Sequence, residues 1–499
     1  MSEIFSGGES TEDLWALPHP KLHSNNDGVT TSINTEWGSK GNESGSRELN
    51  SSIWNDDPIN KVFITNNEPL SNHGQTHKNN NDHNGNNNNQ HVNADFASWV
   101  DAIRFEFRPL GQDLINITEI PEREGLLFKH TNYLVEHLVP IFEDDTNSDS
   151  SSSKKVIRRY SDFHWLSEIL LKKYPFRIIP ELPPKSVTYS NKDALFMEKR
   201  VKGLKRFVNQ IFRHPVLKND ELFIMFLSVP TDLSNWRKQA NYNQNEEFLN
   251  QSIDDLFLRN WDGVFLERWN ELTDPLFKSF ELWNNLRILI ERFERRLEQF
   301  EKDEERFANN ILQFTESINH VYSFDNNTNI QEINDNLRIV ANHYKEDQKL
   351  VQDHRSSLSL NILEDFKKYS DYLNAFQTLF ERFKRIGGNQ IPQLELKIRQ
   401  LKDRLSSYNG KPDVKGYEID KINEEILKLT KTVEYQTNRD WLIKKTVLHE
   451  YIIFQETQYQ ITFILKKLVA DNLHFTELHS NNWTKLNDSL QDMPTSRTF

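Results

Sequence analysis

The chain has 499 residues, enough for two or three domains, a net charge of −13 and no cysteine. Disulfides and thiolate metal sites are excluded, and the acidic balance argues against a dedicated nucleic-acid binder. No apolar run approaches the ~20 residues that a spanning helix needs. Met1-Ser2-Glu3-Ile4-Phe5 lacks the basic start and apolar core of a secretory signal, so a soluble chain with reversible membrane contact is expected.

Residues 1–98 are rich in Asn, Ser, Gly and acid, and residues 1–100 carry a net −8. The run Asn79 to Gln90 is low in complexity. Such a stretch buries too little apolar surface to offset its ordering entropy, so a disordered tail is predicted. Two apolar islands interrupt it, Asp13-Leu14-Trp15-Ala16-Leu17 and Lys61-Val62-Phe63-Ile64. They are either incidental or short docking motifs.

Residues 99–230 read as a compact α+β domain. Leu114 to Ile120, Thr131 to Val139 and Lys155 to Tyr160 have strand character, giving a three-stranded antiparallel meander. An acidic, Ser-rich loop at 143–153 separates the second strand from the third. Phe163, Leu166, Ile169 and Leu170 share a helix face that ends at Pro175. The segment Ile179 to Lys185 is proline-rich and extended, a helix is predicted over about 191–213, and Asn219-Asp220 caps a short one.

Residues 231–274 form a linker with an amphipathic stretch: Phe248, Leu249, Ile253, Leu256, Phe257, Trp261, Phe265 and Trp269. Either it is an interfacial helix that wedges into lipid, or it packs on its neighbours; Asp254 and Asp255 on its polar face disfavour an anionic bilayer. Residues 275–490 are helical in pattern, and Thr273-Asp274-Pro275 is a strong helix start. Leu286, Ile290, Phe293, Leu297, Phe300, Phe307, Ile311, Phe314, Ile318 and Val321 make a heptad seam that only Glu304 interrupts. A second long helix is expected from Ile330, bent but not ended by Gly387-Gly388 and Pro392. A third carries Ile419 to Phe475. Helices of such length form an elongated three-helix bundle. One chain cannot bury the whole seam, so a dimer is expected. His343 and His354 fall in the seam region and read as packing residues.

Residues 154–218 carry a net +11 inside this acidic chain, which marks a local anion site. Arg158-Arg159-Tyr160 sits at a strand–helix junction. A guanidinium fork suits a phosphate monoester, and the adjacent ring can support an inositol-like ring. Lys185 follows a rigid Pro-Pro, and Arg200 lies on the next helix. Taken alone, Arg-Arg-Tyr is also what ordinary surface charge looks like. Val187 and Tyr189 could dip into headgroups, as could Leu195, Phe196 and Met197, though Leu195 and Phe196 also suit a core. Of the basic clusters on the helices, Lys397, Arg399, Lys402 and Arg404 are the best candidates for anionic lipid. No Gly-rich phosphate cradle and no metal-spaced cluster of His, Asp or Glu is found, so neither an enzyme nor a cofactor or metal site is expected.

Arg158-Arg159-Tyr160-Ser161-Asp162-Phe163, then Leu182-Pro183-Pro184-Lys185, then Glu198-Lys199-Arg200 resemble the phox-homology (PX) domain of sorting nexins over roughly residues 113–229. The helical half resembles their Bin/Amphiphysin/Rvs (BAR) domain. Tyr174 to Pro180 and Phe454-Gln455-Glu456-Thr457-Gln458 look like a fungal vacuolar-sorting subgroup, named for suppressing a dynamin-like GTPase defect. The resemblance implies that Arg159 binds the 3-phosphate of phosphatidylinositol 3-phosphate and that Tyr160 packs on the inositol ring. It further implies that Lys185 contacts the 1-phosphate and Arg200 the 4- and 5-hydroxyls. It implies a dimer or higher oligomer, peripheral on endosomal membranes from the cytoplasm, that shapes carriers for vacuolar sorting and recycling. A dynamin-like GTPase and transmembrane cargo are the further partners it suggests. The alternative is a lipid-targeted coiled-coil scaffold that tethers partners without bending membrane.

Overall fold

A computed structural model of the chain describes residues 87–124, 130–137, 154–185, 194–239, 242–322, 329–408 and 416–496. The chain divides into two units, Met1–Thr76 and His77–Phe499, and all the described residues lie in the second. The tail predicted over residues 1–98 falls outside them up to residue 86, as do both apolar islands and the 143–153 loop. Helix α1, Asn87–Glu106, begins within the stretch assigned to that tail. It is fixed by Phe96, Val100, Ile103 and Phe107, which recur at helical spacing and are buried.

Strands β1 (Ile115–Glu124), β2 (His130–His137) and β3 (Lys154–Arg159) form an antiparallel sheet in the order β1-β2-β3. Ile117 pairs with Val135, and Tyr133 pairs with Arg158. Alternation sends Ile115, Ile117, Tyr133, Val135 and Val156 to one face. Helices α2 (Tyr160–Lys173), α3 (Ala194–Arg213) and α4 (Glu221–Ser228) close over that face with Phe163, Leu166, Leu204, Phe207, Phe223 and Phe226. A 3₁₀ turn, Leu217–Asn219, leads into α4. Asp220 caps α4 by accepting from the backbone N–H groups of Leu222 and Phe223.

Helices α5 (Leu233–Gln239), α6 (Asp255–Asn260) and α7 (Val264–Glu271) connect this domain to the bundle. Most of the amphipathic stretch packs inside the protein, while Leu249 stays exposed. Phe257, Phe265 and Trp269 are buried. Trp269 stacks on Phe380 at 4.0 Å, and Trp261 meets Trp441 edge-on at 5.9 Å.

The bundle consists of α8 (Thr273–Val321), α9 (Asn329–Ser357), α10 (Leu363–Ile386), α11 (Ile391–Tyr408), α12 (Gly416–Glu456) and α13 (Gln458–Ser489). At 1.5 Å per residue, α8 alone is roughly 74 Å long. A π-helical turn, Leu358–Ile362, joins α9 to α10. Two expectations need correction. The second long helix does not merely bend at Gly387: α10 ends at Ile386 and α11 restarts at Ile391. A Cβ on Gly387 would lie 2.5 Å from the Phe383 carbonyl oxygen, so only glycine fits there. The freed backbone is held sideways, with the Gln390 N–H donating to Gln436 Oε1 at 2.8 Å and Asn389 Nδ2 to Asp440 Oδ1 at 3.1 Å. The third helix is likewise jointed, at Thr457, inside the Phe454-Gln455-Glu456-Thr457-Gln458 motif.

Candidate functional site

The geometry around the basic segment begins with strand alternation. Val156 and Arg158 point into the domain, so Arg159 points out. This corrects the assignment of Arg158 to the ligand set. Its side chain is 0% exposed, and its guanidinium donates to the carbonyls of Phe226 at 2.8 Å, Ile157 at 2.7 Å and Val229 at 2.6 Å. Burial pulls it down to about 10, against the opposing charges of Asp162 and Asp232. Arg158 staples β3 to the end of α4, with all three of its nitrogens bonded to carbonyls inside the protein and none of it exposed to a ligand.

Arg159 ends β3 and precedes α2, where its backbone N–H donates to Asp162 Oδ2 at 2.8 Å. This is one half of a capping box, and it fixes the direction in which the side chain leaves. Asp162 is buried, and its other oxygen accepts from Arg237 of α5 at 3.1 Å. The Arg159 guanidinium is 39% exposed, and its Nη2 lies 3.6 Å from Asp232 Oδ2.

Tyr160 follows. Its hydroxyl donates to the Pro183 carbonyl at 2.5 Å, tying the junction to the Pro183-Pro184-Lys185 segment. That segment also rests on α3, since a Cβ on Gly203 would meet Pro183 Cβ at 2.9 Å. Lys185 is exposed and pairs with no carboxylate among the described residues. Arg200 reaches the same junction from α3. Its guanidinium sits over the rings of Tyr160 at 5.0 Å and Phe196 at 4.5 Å. The residue is only 8% exposed, and its Nε finds no acceptor. Burial raises the Tyr133 and Tyr160 phenols, and the nearby Arg200 charge offsets part of that rise. A buried guanidinium with an unused donor, held between two rings, suits a polyol hydroxyl or phosphate oxygen.

Tyr160 and Arg200 are thus in contact, Arg159 precedes Tyr160 at the same junction, and Lys185 ends the strap that Tyr160 holds. Phe196 forms part of the Arg200 cradle and Met197 is buried in the core, while Val187 and Tyr189 lie outside the described residues. Of the bundle cations, Lys397 pairs with Glu425 at 2.7 Å, and Arg404 donates to the Tyr408 hydroxyl at 2.9 Å. Arg399 and Lys402 share α11 with them. Sequence reasoning did not single out Asp162, Asp232, Phe196 or Gly203 as supports of this site. Asp162 was visible as the acidic third residue of a capping box; the others had no local signal.

The domain is clamped to the bundle. Glu450 of α12 is wholly buried, and its Oε1 accepts from Arg177 Nη1 at 2.9 Å. Its Oε2 accepts from the Ile178 N–H at 2.9 Å and lies 2.9 Å from His214 Nε2. Burial alone would raise the Glu450 carboxyl, but His214, His449 and Arg177 override it and hold it well below the ordinary value. Arg206 of α3 grips Glu364 at 2.6 Å and Asp371 at 2.7 Å on α10, and Arg382 donates to the carbonyls of Pro175 and Arg177. One face of the bundle stays open: Leu286, Phe293, Phe300, Phe307, Phe314 and Val321 of α8 remain exposed. Glu304, the interruption in that seam, is buried instead, facing Asp347. His343 packs against Trp483 at 4.3 Å, and His354 stacks on Phe475 at 4.4 Å. Among the described residues no group of His, Asp and Glu could hold a metal, and no helix is long and apolar enough to cross a membrane.

Residues 146–230 match the PX domain family, and residues 242–497 match the sorting nexin 8/Mvp1 BAR domain family. Sorting nexin MVP1 of Saccharomyces cerevisiae is 42% identical over 404 residues, spanning 81% of this chain and 78% of that protein. Sorting nexin MVP1 of Kluyveromyces lactis is 39% identical over 406 residues, with the same coverage of 81% and 78%. The cryo-EM structure of the SNX-BAR Mvp1 tetramer is 41% identical and superposes with a TM-score of 0.65, covering 74% of this chain and 99% of that one. The sheet domain and the helical bundle are thus a PX domain and a BAR domain, and the chain belongs to the PX–BAR sorting nexins of the Mvp1 type, a family of lipid-binding scaffolds and not of enzymes.

Proposed function

We propose that this chain binds phosphatidylinositol 3-phosphate through Arg159, Tyr160, Lys185 and Arg200. As a self-associated sorting nexin it would then remodel endosomal membranes into carriers for vacuolar sorting and recycling. The observation that carries this reading is the junction itself: an outward guanidinium at Arg159, and Arg200 buried between Tyr160 and Phe196 with an unused donor. Self-association is supported by the exposed apolar seam of α8 and by the tetramer formed by the solved relative. Val187 and Tyr189, which follow Lys185 in the sequence, and Lys397, Arg399, Lys402 and Arg404 on α11 are the proposed secondary membrane contacts. Transmembrane cargo and a dynamin-like GTPase are the proposed further partners, with the endosome as the site of action.

The test is flotation of the full chain on vesicles containing each phosphoinositide in turn. The wild type should float with phosphatidylinositol 3-phosphate and Arg159→Ala should not, with fold and oligomer intact. Undiminished flotation of the variant refutes the pocket. Vesicle tubulation separates the remodelling protein from the tethering scaffold: binding with no change of vesicle shape favours the scaffold.

A further inference from the structure

We infer that Asp232, contributed by the linker just beyond the matched PX segment, is a built-in counter-ion of Arg159 whose fixed charge opposes the ligand phosphate. The inference rests on the pocket reading above. Asp232 divides its two oxygens between two tasks. Oδ1 accepts from the Ser234 N–H at 2.8 Å and so starts α5. Oδ2 faces Arg159 Nη2 at 3.6 Å. That separation is an ion pair but exceeds hydrogen-bond length. The pair is accordingly attractive while leaving the guanidinium donors uncommitted. Both side chains are partly open to solvent, 39% for Arg159 and 34% for Asp232, so an incoming phosphate can approach without unpacking the core.

Partial burial pushes the Asp232 carboxyl up, but the hydrogen bonds from Ser234 and the charges of Arg159 and Arg237 outweigh it and keep it ionised. The carboxylate cannot swing far, because α5 begins with the buried Leu233 and is latched by Trp236 and Arg237. Arg237 pairs with Asp162 at 3.1 Å and lies over the Trp165 ring at 5.1 Å, and Trp236 stacks on Tyr242 at 5.7 Å. A phosphate on Arg159 thus shares that guanidinium with a fixed negative charge. The affinity for a phosphomonoester is held below what the cations alone would give.

The experiment measures binding of the full chain to phosphatidylcholine vesicles with and without phosphatidylinositol 3-phosphate, comparing wild type, Asp232→Asn, Asp232→Ser and Arg159→Ala. Asn and Ser both keep an oxygen for the α5 cap while removing the charge, so two folded neutral variants are available, with circular dichroism as the check. Both should bind the phosphorylated vesicles about tenfold more tightly, equivalent to ~1.4 kcal/mol. Their advantage should shrink as salt screens the repulsion. Unchanged or weaker binding by both neutral variants, with Arg159→Ala still inactive, overturns the counter-ion while leaving the pocket standing. Wild-type binding by Arg159→Ala overturns both.

Discussion

Replacing Glu450 with alanine should uncouple the PX domain from the bundle. The carboxylate receives the Ile178 N–H and faces His214 and Arg177, each at 2.9 Å, in a site from which water is excluded. In Glu450→Ala, Arg177 keeps its two-armed grip on Glu247, at 2.8 and 3.1 Å, so it is not orphaned. The Ile178 N–H and the His214 ring lose their partner. An unsatisfied buried donor costs roughly 1–3 kcal/mol, and two such groups are left here. A loss of about 4 kcal/mol is the expected result. Denaturant unfolding of the full chain measures it, and limited proteolysis of the 240–255 linker reports whether the PX domain has come away. Because the carboxyl is held well below the usual glutamate range, its stabilisation is fully present above that range and is lost as pH falls below it. The gap between wild type and variant should therefore close in acid. A loss below ~1 kcal/mol at neutral pH, or one that persists in acid, would show that the carboxylate is not the clamp.

Three further outcomes are expected. Gly203→Ala should lower stability by about 1–2 kcal/mol through overpacking and weaken lipid binding severalfold. Its Cβ would press 2.9 Å from Pro183 Cβ and shift the strap that carries Lys185; unaltered binding would detach the strap from the site. Glu304 is pushed up to about 7 by burial, then by Asp347 and Asp303. The folded state thus keeps a proton that the unfolded state loses, so stability should fall as pH rises from the ordinary glutamate value through about 7. Asp347 itself faces His479 and Asn482, and Tyr344 also lies near Glu304. Glu304→Gln should flatten that slope in thermal melts at stepped pH, and an unchanged slope would assign it to other groups. Phe307→Asp places a charge in the exposed α8 seam and should reduce the mass seen by light scattering, since each large apolar side chain buried at an interface contributes about 1.5–3 kcal/mol; an unchanged mass would place the contact elsewhere.

The elements are legible in the amino-acid sequence, because they follow from local chemistry and periodicity. The alternation in β1–β3 and the seam of α8 are repeats of two and about 3.6 residues, and the Asp220 cap is a bond to backbone two and three residues on. The grouping of Arg159, Tyr160, Lys185 and Arg200 into one site came from the resemblance and not from any periodicity. Tertiary structure decided the rest. Adjacent arginines look alike in sequence, yet the phase of β3 sends Arg158 to three carbonyls and Arg159 to the surface. The same apolar face that would suit a membrane wedge at 248–269 met Trp441, Tyr451 and Phe380 first. Gly387 was visible as a flexible point, but whether a helix bends or stops there depends on Gln436 and Asp440 of a neighbouring helix. The clamp at Glu450 and the carboxylate of Asp232 are the extreme case. Arg177, His214 and Glu450 come from separate segments, and no one-dimensional pattern records a charge whose partners arrive only when the chain has closed on itself.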